Sequence, residues 1–152
     1  AMVLAVLRPD VQFTLLDSLQ KRVRFLEQTA QLLGLGNVRC IHARAEEAAR
    51  QPELREQFDF ATARAVAALP VLAEYCLPFV RVGGVFAAMK GPSEPVEPAE
   101  QAIVTLGGGN VQVTDYTLEQ AGARRLVQVE KCRPTPEKYP RRSKQIQQKP
   151  LG

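Results

Sequence analysis

The sequence predicts an α/β fold with a mostly parallel sheet covered on both faces. Three observations carry this expectation. Short apolar runs of strand character alternate with segments of helical period. Charged residues stand at the ends of successive strands, where open α/β sheets gather their ligands. The last two strands follow each other without a helix between them, which suits an antiparallel pair and departs from a plain dinucleotide fold.

The elements follow in order. Ala1 to Leu7 is apolar and helix-compatible, and Arg8-Pro9-Asp10 stops it. A strand is expected over Val11–Leu16, then a helix from about Leu19 to Leu33. The apolar positions Leu19, Val23, Leu26, Ala30 and Leu33 fall on one face of that helix, and Gly34 ends it. Val38 to His42 is a short strand, Ala45 to Arg50 a short helix, and Pro52 to Gln57 a polar turn or helix. Phe58 to Ala63 is the next strand. Pro70 suits the first turn of a helix reaching Leu77, and Pro78 bends or ends it. Gly83-Gly84 are expected as a turn before strand Val85–Met89. A Pro- and Glu-rich loop at 92–98 leads to a helix around Ala99–Leu106. Gly107-Gly108-Gly109-Asn110 turn into strand Val111–Leu118, and strand Arg124–Glu130 closes the set.

A length of 152 residues suggests one domain with a sizeable core. There is no internal repeat. Residues 1–131 read as the folded domain and 132–152 as its basic, Pro-rich, extended tail. Three scattered cysteines, Cys40, Cys76 and Cys132, form no CxxC and have no partner histidines. That argues against a disulfide framework and a metal site, and suits a reducing, cytoplasmic setting. No apolar run approaches the roughly 20 residues of a membrane span. The AMVLAVL start is too short for a signal peptide.

The strand ends are where chemistry is expected. Asp17 ends the first strand, and its carboxylate suits the two hydroxyls of a ribose; a charge-assisted hydrogen bond of that kind is worth about 1.5–3 kcal/mol. The plainer reading makes Asp17 or Ser18 a helix N-cap. The basic pair Lys21 and Arg22 follows one turn later. Ala45-Glu46, Arg64 and Lys90 end the later strands, so all of these residues are placed along one cleft. Glu46 would border a purine edge, while Arg64 and Lys90 would bring positive charge to an anionic group. His42, the single histidine, sits in an apolar strand with no nucleophile pattern around it, which favours packing over catalysis. LGGGN opens a strand rather than a helix and lacks a following Lys-Ser/Thr, so it is a turn and not a phosphate loop.

The overall excess of 20 basic over 16 acidic residues is mild, but it gathers late in the chain, through Arg124, Arg125, Lys131, Arg133, Lys138, Arg141, Arg142, Lys144 and Lys149. Tyr139 among them suits stacking on a base. A basic segment with an aromatic points to RNA; a solvated charged tail is the plain alternative.

Taken together, LLDSLQKRVRFLE, HARAEE, TARAVAALPVL, VGGVFAAMKGP and RRLVQVEKCRPTPEKYPRR resemble the bacterial ribosomal RNA small-subunit methyltransferase G family, formerly glucose-inhibited division protein B. The resemblance runs from Val3 to Leu151 in order, and PTPEKYPRR is its most specific part. It implies a class I, S-adenosylmethionine-dependent, Rossmann-like methyltransferase fold that methylates nitrogen 7 of one guanine in 16S ribosomal RNA. The partner would be free small-subunit RNA or the assembling 30S subunit, met by a monomer with no membrane attachment. By motif, Asp17, Ser18 and Leu19 would border the cofactor's ribose, Ala45 and Glu46 its adenine, and Arg64 the mouth shared by cofactor and substrate. Lys90, Arg124, Arg141 and Arg142 match basic positions suited to RNA, joined by Arg22, Lys138 and Tyr139 from the reading of the residues. The family carries a first strand and a GxGxGxPG loop ahead of the helix that here reads VLAVLRPD, so that strand is expected to be absent from this chain.

Nitrogen 7 of guanine already offers a lone pair, so the implied reaction needs placement more than a general base. The product ring gains positive charge, so Arg64 and Lys90 are assigned to phosphate or to an exocyclic oxygen. Two alternatives stand beside this reading. One is a non-catalytic RNA-binding fragment, which the basic tail alone would allow. The other is a nicotinamide-dependent dehydrogenase, which the strand-end acid would also suit.

Overall fold

The computed structural model describes residues 1–64 and 67–152. The chain divides into two compact units, Ala1–Ala45 and Glu46–Gly152.

The first unit contains α1 (Met2–Leu7), β1 (Phe13–Asp17), α2 (Gln20–Leu32) and β2 (Val38–His42). β1 and β2 pair in parallel, with Phe13 opposite Val38 and Asp17 opposite His42. Asn37 holds the entry to this pair. Its amide Nδ2 donates to the carbonyls of Ala5, Arg8 and Val11 at 3.2, 3.1 and 3.0 Å, closing the turn that Pro9 opens. α2 ends at Gly34, whose φ of 66° only glycine adopts without strain. The apolar stripe on α2 is narrower than its sequence suggests. Val23 and Ala30 are buried, but Leu19 and Leu33 are exposed.

α3 (Ala45–Ala48) opens at the boundary between the units, and the second unit continues with β3 (Phe58–Arg64), α4 (Leu69–Cys76), β4 (Val80–Lys90), α5 (Glu100–Thr105), β5 (Gly108–Leu118), β6 (Gly122–Lys131) and α6 (Ser143–Gln148). The sheet order is β3-β4-β6-β5. β3 and β4 are parallel, and β6 runs antiparallel to both of its neighbours. The terminal pair is therefore present, and β6 inserts between β5 and the parallel part of the sheet. Leu69, Leu72 and Leu77 pack with Phe86, Ile103, Leu106, Val127 and Val129 to form the core. Each such side chain contributes about 1.5–3 kcal/mol when fully buried.

Two expectations are corrected here. Gly83-Gly84 lie inside β4 rather than before it. Phe58 pairs with Val80 and Phe60 with Val85, so residues 81–84 bulge out of the ladder. A Cβ on Gly84 would sit 2.6 Å from the Asp59 carbonyl, which is why a glycine reads as a turn yet serves a strand. The second correction concerns residues 132–152, which do not extend into solvent. Lys131 is fully buried, and its ammonium donates to the carbonyls of Leu77 and Val80 and to Thr135 Oγ1, and pairs with Glu56 Oε1 at 3.0 Å. Arg55 donates to the carbonyls of Thr135 and Tyr139 at 2.8 and 2.9 Å, and Arg50 to those of Lys138 and Pro140. Ile146 of α6 and the Tyr139 ring are buried, the latter within the core cluster. Tyr139 is thus a packing residue, because its apolar ring gains more from the core than from solvent, and it is not presented for stacking on a base.

Candidate functional site

In the first unit the candidate position is the carboxyl end of β1. Asp17 Oδ1 accepts the Leu19 N–H at 2.8 Å, which turns the chain into α2. One carboxylate oxygen of Asp17 therefore serves the turn into α2. Oδ2 has only a long contact of 3.5 Å from the Arg22 guanidinium, which is itself largely exposed. A carboxylate has about four lone-pair sites, so Asp17 keeps acceptor capacity for hydroxyls. Ser18 and Leu19 are exposed beside it. His42 Nε2 lies 3.1 Å from the Ser18 carbonyl, a structural contact that helps fix this turn against β2.

In the second unit the matching position is the carboxyl end of β3 and β4. Arg64 closes β3 opposite Met89, and Lys90 closes β4 opposite Arg125 of β6. Three basic residues therefore arrive at one sheet edge. Their environments differ sharply. Arg64 is exposed and makes no ion pair among the described residues. Lys90 is only 8% exposed; its ammonium pairs with Glu94 Oε1 at 3.0 Å and donates to the Ala67 carbonyl at 2.6 Å. Arg125 forks onto Asp115 at 2.7 and 2.8 Å and also reaches the Glu94 carbonyl. These hydrogen bonds raise the Arg125 guanidinium and hold the Asp115 carboxyl below the usual carboxylate range. The expectation of Lys90 as a cation offered to RNA is thus corrected, because its charge is already buried and paired.

The remaining predicted residues divide in the same way. Ala45 is part-buried, and Glu46 is buried in the first turn of α3. Arg141 is committed to Glu74, a fully buried acid of α4; the guanidinium meets both carboxylate oxygens, and the Arg141 N–H donates to Oε1 at 2.7 Å. That pairing raises Arg141 above its ordinary range. Arg124, Lys138 and Arg142 face solvent to different degrees: Arg124 is part-exposed, and the other two are exposed. Arg124 donates to its neighbour's carbonyl at 2.7 Å, while Lys138 lies 5.2 Å from the Tyr139 ring centre. Sequence reasoning missed Glu94, Glu74, Glu56 and Arg55. The available signal was the need of each buried cation for an acid, and Glu94 stands four residues after Lys90.

No helix among the described residues is long and apolar enough to cross a membrane. Comparison with solved structures identifies the architecture. The antibiotic-resistance methyltransferase Kmr is similar over 85% of this chain and 79% of its own, with a TM-score of 0.63 and 18% identity. An rRNA methylase from Streptococcus thermophilus is similar over 80% and 74%, with a TM-score of 0.57 and 19% identity. The fold is that of class I S-adenosylmethionine-dependent methyltransferases.

Sequence comparison is more specific. A protein of Clostridium perfringens (strain 13 / Type A) named ribosomal RNA small subunit methyltransferase G is 47% identical over 97% of this chain. A protein of the same name from Deinococcus deserti is 50% identical over 97%. The chain spans 63% and 62% of the lengths of these two relatives. The family profile described as rRNA small subunit methyltransferase G matches residues 1–127. On its sequence, this chain belongs to the rRNA small subunit methyltransferase G family.

Proposed function

We propose that the protein transfers a methyl group from S-adenosylmethionine to nitrogen 7 of a guanine in small-subunit ribosomal RNA. The observation that carries the reading is Asp17. It ends a parallel strand with one oxygen fixed by the Leu19 N–H and the other held only by a 3.5 Å contact from Arg22, which suits the vicinal hydroxyls of the cofactor's ribose. Ser18 and Leu19 would border that ribose, and Ala45 and Glu46 the adenine. S-adenosylmethionine supplies, when bound, an electrophilic methyl group on a sulfonium.

The protein's own residues then have two tasks. Arg64, exposed at the end of β3, would hold an RNA phosphate or the exocyclic oxygen of the guanine and so aim its nitrogen 7. It would not press on that nitrogen, because the ring becomes positive on methylation. No side chain has to take a proton before transfer, in keeping with His42 being engaged at the Ser18 carbonyl. Placement of this kind can lower a barrier by several kcal/mol, and by roughly 7–11 in ideal cases. Arg22, Arg124, Lys138 and Arg142 would meet the RNA backbone, each contact adding to affinity and to its salt dependence. Lys90 and Arg141 would support the surface from within.

The test is incubation of the protein with radiolabelled S-adenosylmethionine and either free 16S RNA or 30S subunits, followed by borohydride reduction and aniline cleavage at 7-methylguanine. The expected result is one cleavage position in one of the two substrates. Label in another base, or none in either substrate, overturns the reading.

A further inference from the structure

α4 begins without a cap of its own. Its N-cap residue is Ala68, which has no side-chain acceptor, and Pro70 in the first turn has no N–H. The Leu69 N–H is satisfied from far along the chain, by Glu94 Oε1 at 2.8 Å. The same oxygen lies 3.0 Å from Lys90 Nζ, and Lys90 Nζ donates to the Ala67 carbonyl at 2.6 Å. Glu94 is itself held by Arg125, whose guanidinium reaches the Glu94 carbonyl at 2.9 Å while forked on Asp115. A continuous chain of bonds thus runs from β6 through Arg125, Glu94 and Lys90 to residues 67–69, the exit of the strand that ends in Arg64.

We propose that Glu94 is a positioning residue for this sheet edge, fixing residues 67–69 at the entry to α4. The physical reason is that one carboxylate serves two donors that have no equivalent substitute. Without it, the Leu69 N–H loses its acceptor and the Lys90 ammonium stays buried with one carbonyl only, a costly state for a charge. Glu94 touches neither Arg64 nor any reacting atom, so its effect passes through the backbone it pins. The consequence for methyl transfer rests on the function proposed above; the consequence for the backbone does not.

Glu94→Ala and Glu94→Gln separate these roles. Gln keeps an oxygen for the Leu69 N–H and loses the charge facing Lys90. Hydrogen exchange followed by mass spectrometry is expected to show residues 67–72 exchanging at least about tenfold faster in Glu94→Ala, with β4 and β6 unchanged and Glu94→Gln between parent and Ala. In the methylation assay, kcat is expected to fall about tenfold or more in Glu94→Ala, with KM for S-adenosylmethionine within about twofold and partial rescue by Gln. Unchanged exchange at 67–72, or exchange rising uniformly over the whole second unit, overturns the proposal. Faster local exchange with unchanged kcat removes its catalytic consequence. A parent protein that does not methylate RNA overturns the proposed function, and the exchange result still decides the role of Glu94.

Discussion

The two ends of the four-stranded sheet use the same residue types to opposite effect. At the amino end of β3 and β4, Lys131 meets Glu56, Thr135 and two carbonyls and is fully enclosed. At the carboxyl end, Lys90 is paired within, but Arg64 beside it is left exposed. Burial pushes the Lys131 ammonium below the ordinary lysine range, against the opposing pull of Glu56. An enclosed cation of that kind serves the fold, since its charge has no surplus donor for a ligand. An exposed cation at a strand's carboxyl end is the kind that the proposed recognition of RNA would use. Charge in the sequence counts both alike; burial separates them.

The sharpest test of this contrast is Lys131→Ala. Removing one member of a buried ion pair strands the other, so a loss of about 3 kcal/mol is expected in urea unfolding. A loss below about 1 kcal/mol would place Lys131 with the surface charges. Arg64→Ala is the converse. Turnover on 16S RNA is expected to fall about a hundredfold, equal to about 2.7 kcal/mol, with stability changed by no more than about 0.5 kcal/mol. If Arg64→Ala unfolds easily instead, the division by burial fails. Asp17→Asn, which keeps an acceptor for the Leu19 N–H, should weaken S-adenosylmethionine binding about tenfold by calorimetry, or about 1.4 kcal/mol; unchanged affinity removes Asp17 from the cofactor. Arg142→Gln should reduce the salt slope of RNA binding by about 1, while Arg141→Gln should lower stability, since Arg141 is spent on Glu74. Equal effects of the two substitutions would erase the contrast within the tail.

The smallest expected effect is alkaline. Cys76 packs against the core, and burial pushes its thiol up to about 12 from an ordinary value of 9.0. Above pH 9 the unfolded chain loses this proton before the folded one does, so the contribution of Cys76 to stability declines as pH rises towards about 12. Cys76→Ala should flatten that decline relative to the parent, and identical profiles would sink the assignment. At pH 8 a thiol reagent should label exposed Cys132 and spare Cys76 until the protein unfolds.

Much of the fold was legible in the sequence because its signals were local. Pro70 marked the first turn of α4, Gly34 the end of α2, and the alternation of periods marked the parallel pairs. Asp17 and Arg64 were legible as strand-end charges for the same reason. What escaped depended on contacts distant in sequence. Gly83-Gly84 carried a turn signal, yet they form a bulge whose need for glycine comes from the Asp59 carbonyl on the next strand. The tail carried the composition of a solvated arm, yet its carbonyls are claimed by Arg50 and Arg55, some 80–90 residues earlier. Glu94 looked like one acid in a Pro-rich loop, since nothing local revealed the uncapped helix it serves.

The docking of residues 132–146 also orders events during synthesis. Thr135, Tyr139 and Ile146 are buried residues of the second unit, and they follow every strand in the sequence. While they are still inside the ribosome, the core lacks the Tyr139 ring, the Leu106 carbonyl lacks Thr135 and Glu74 lacks its arginine. Folding of this unit therefore needs residues 132–146, and a chain stopped near residue 131 would be left to chaperones and proteases.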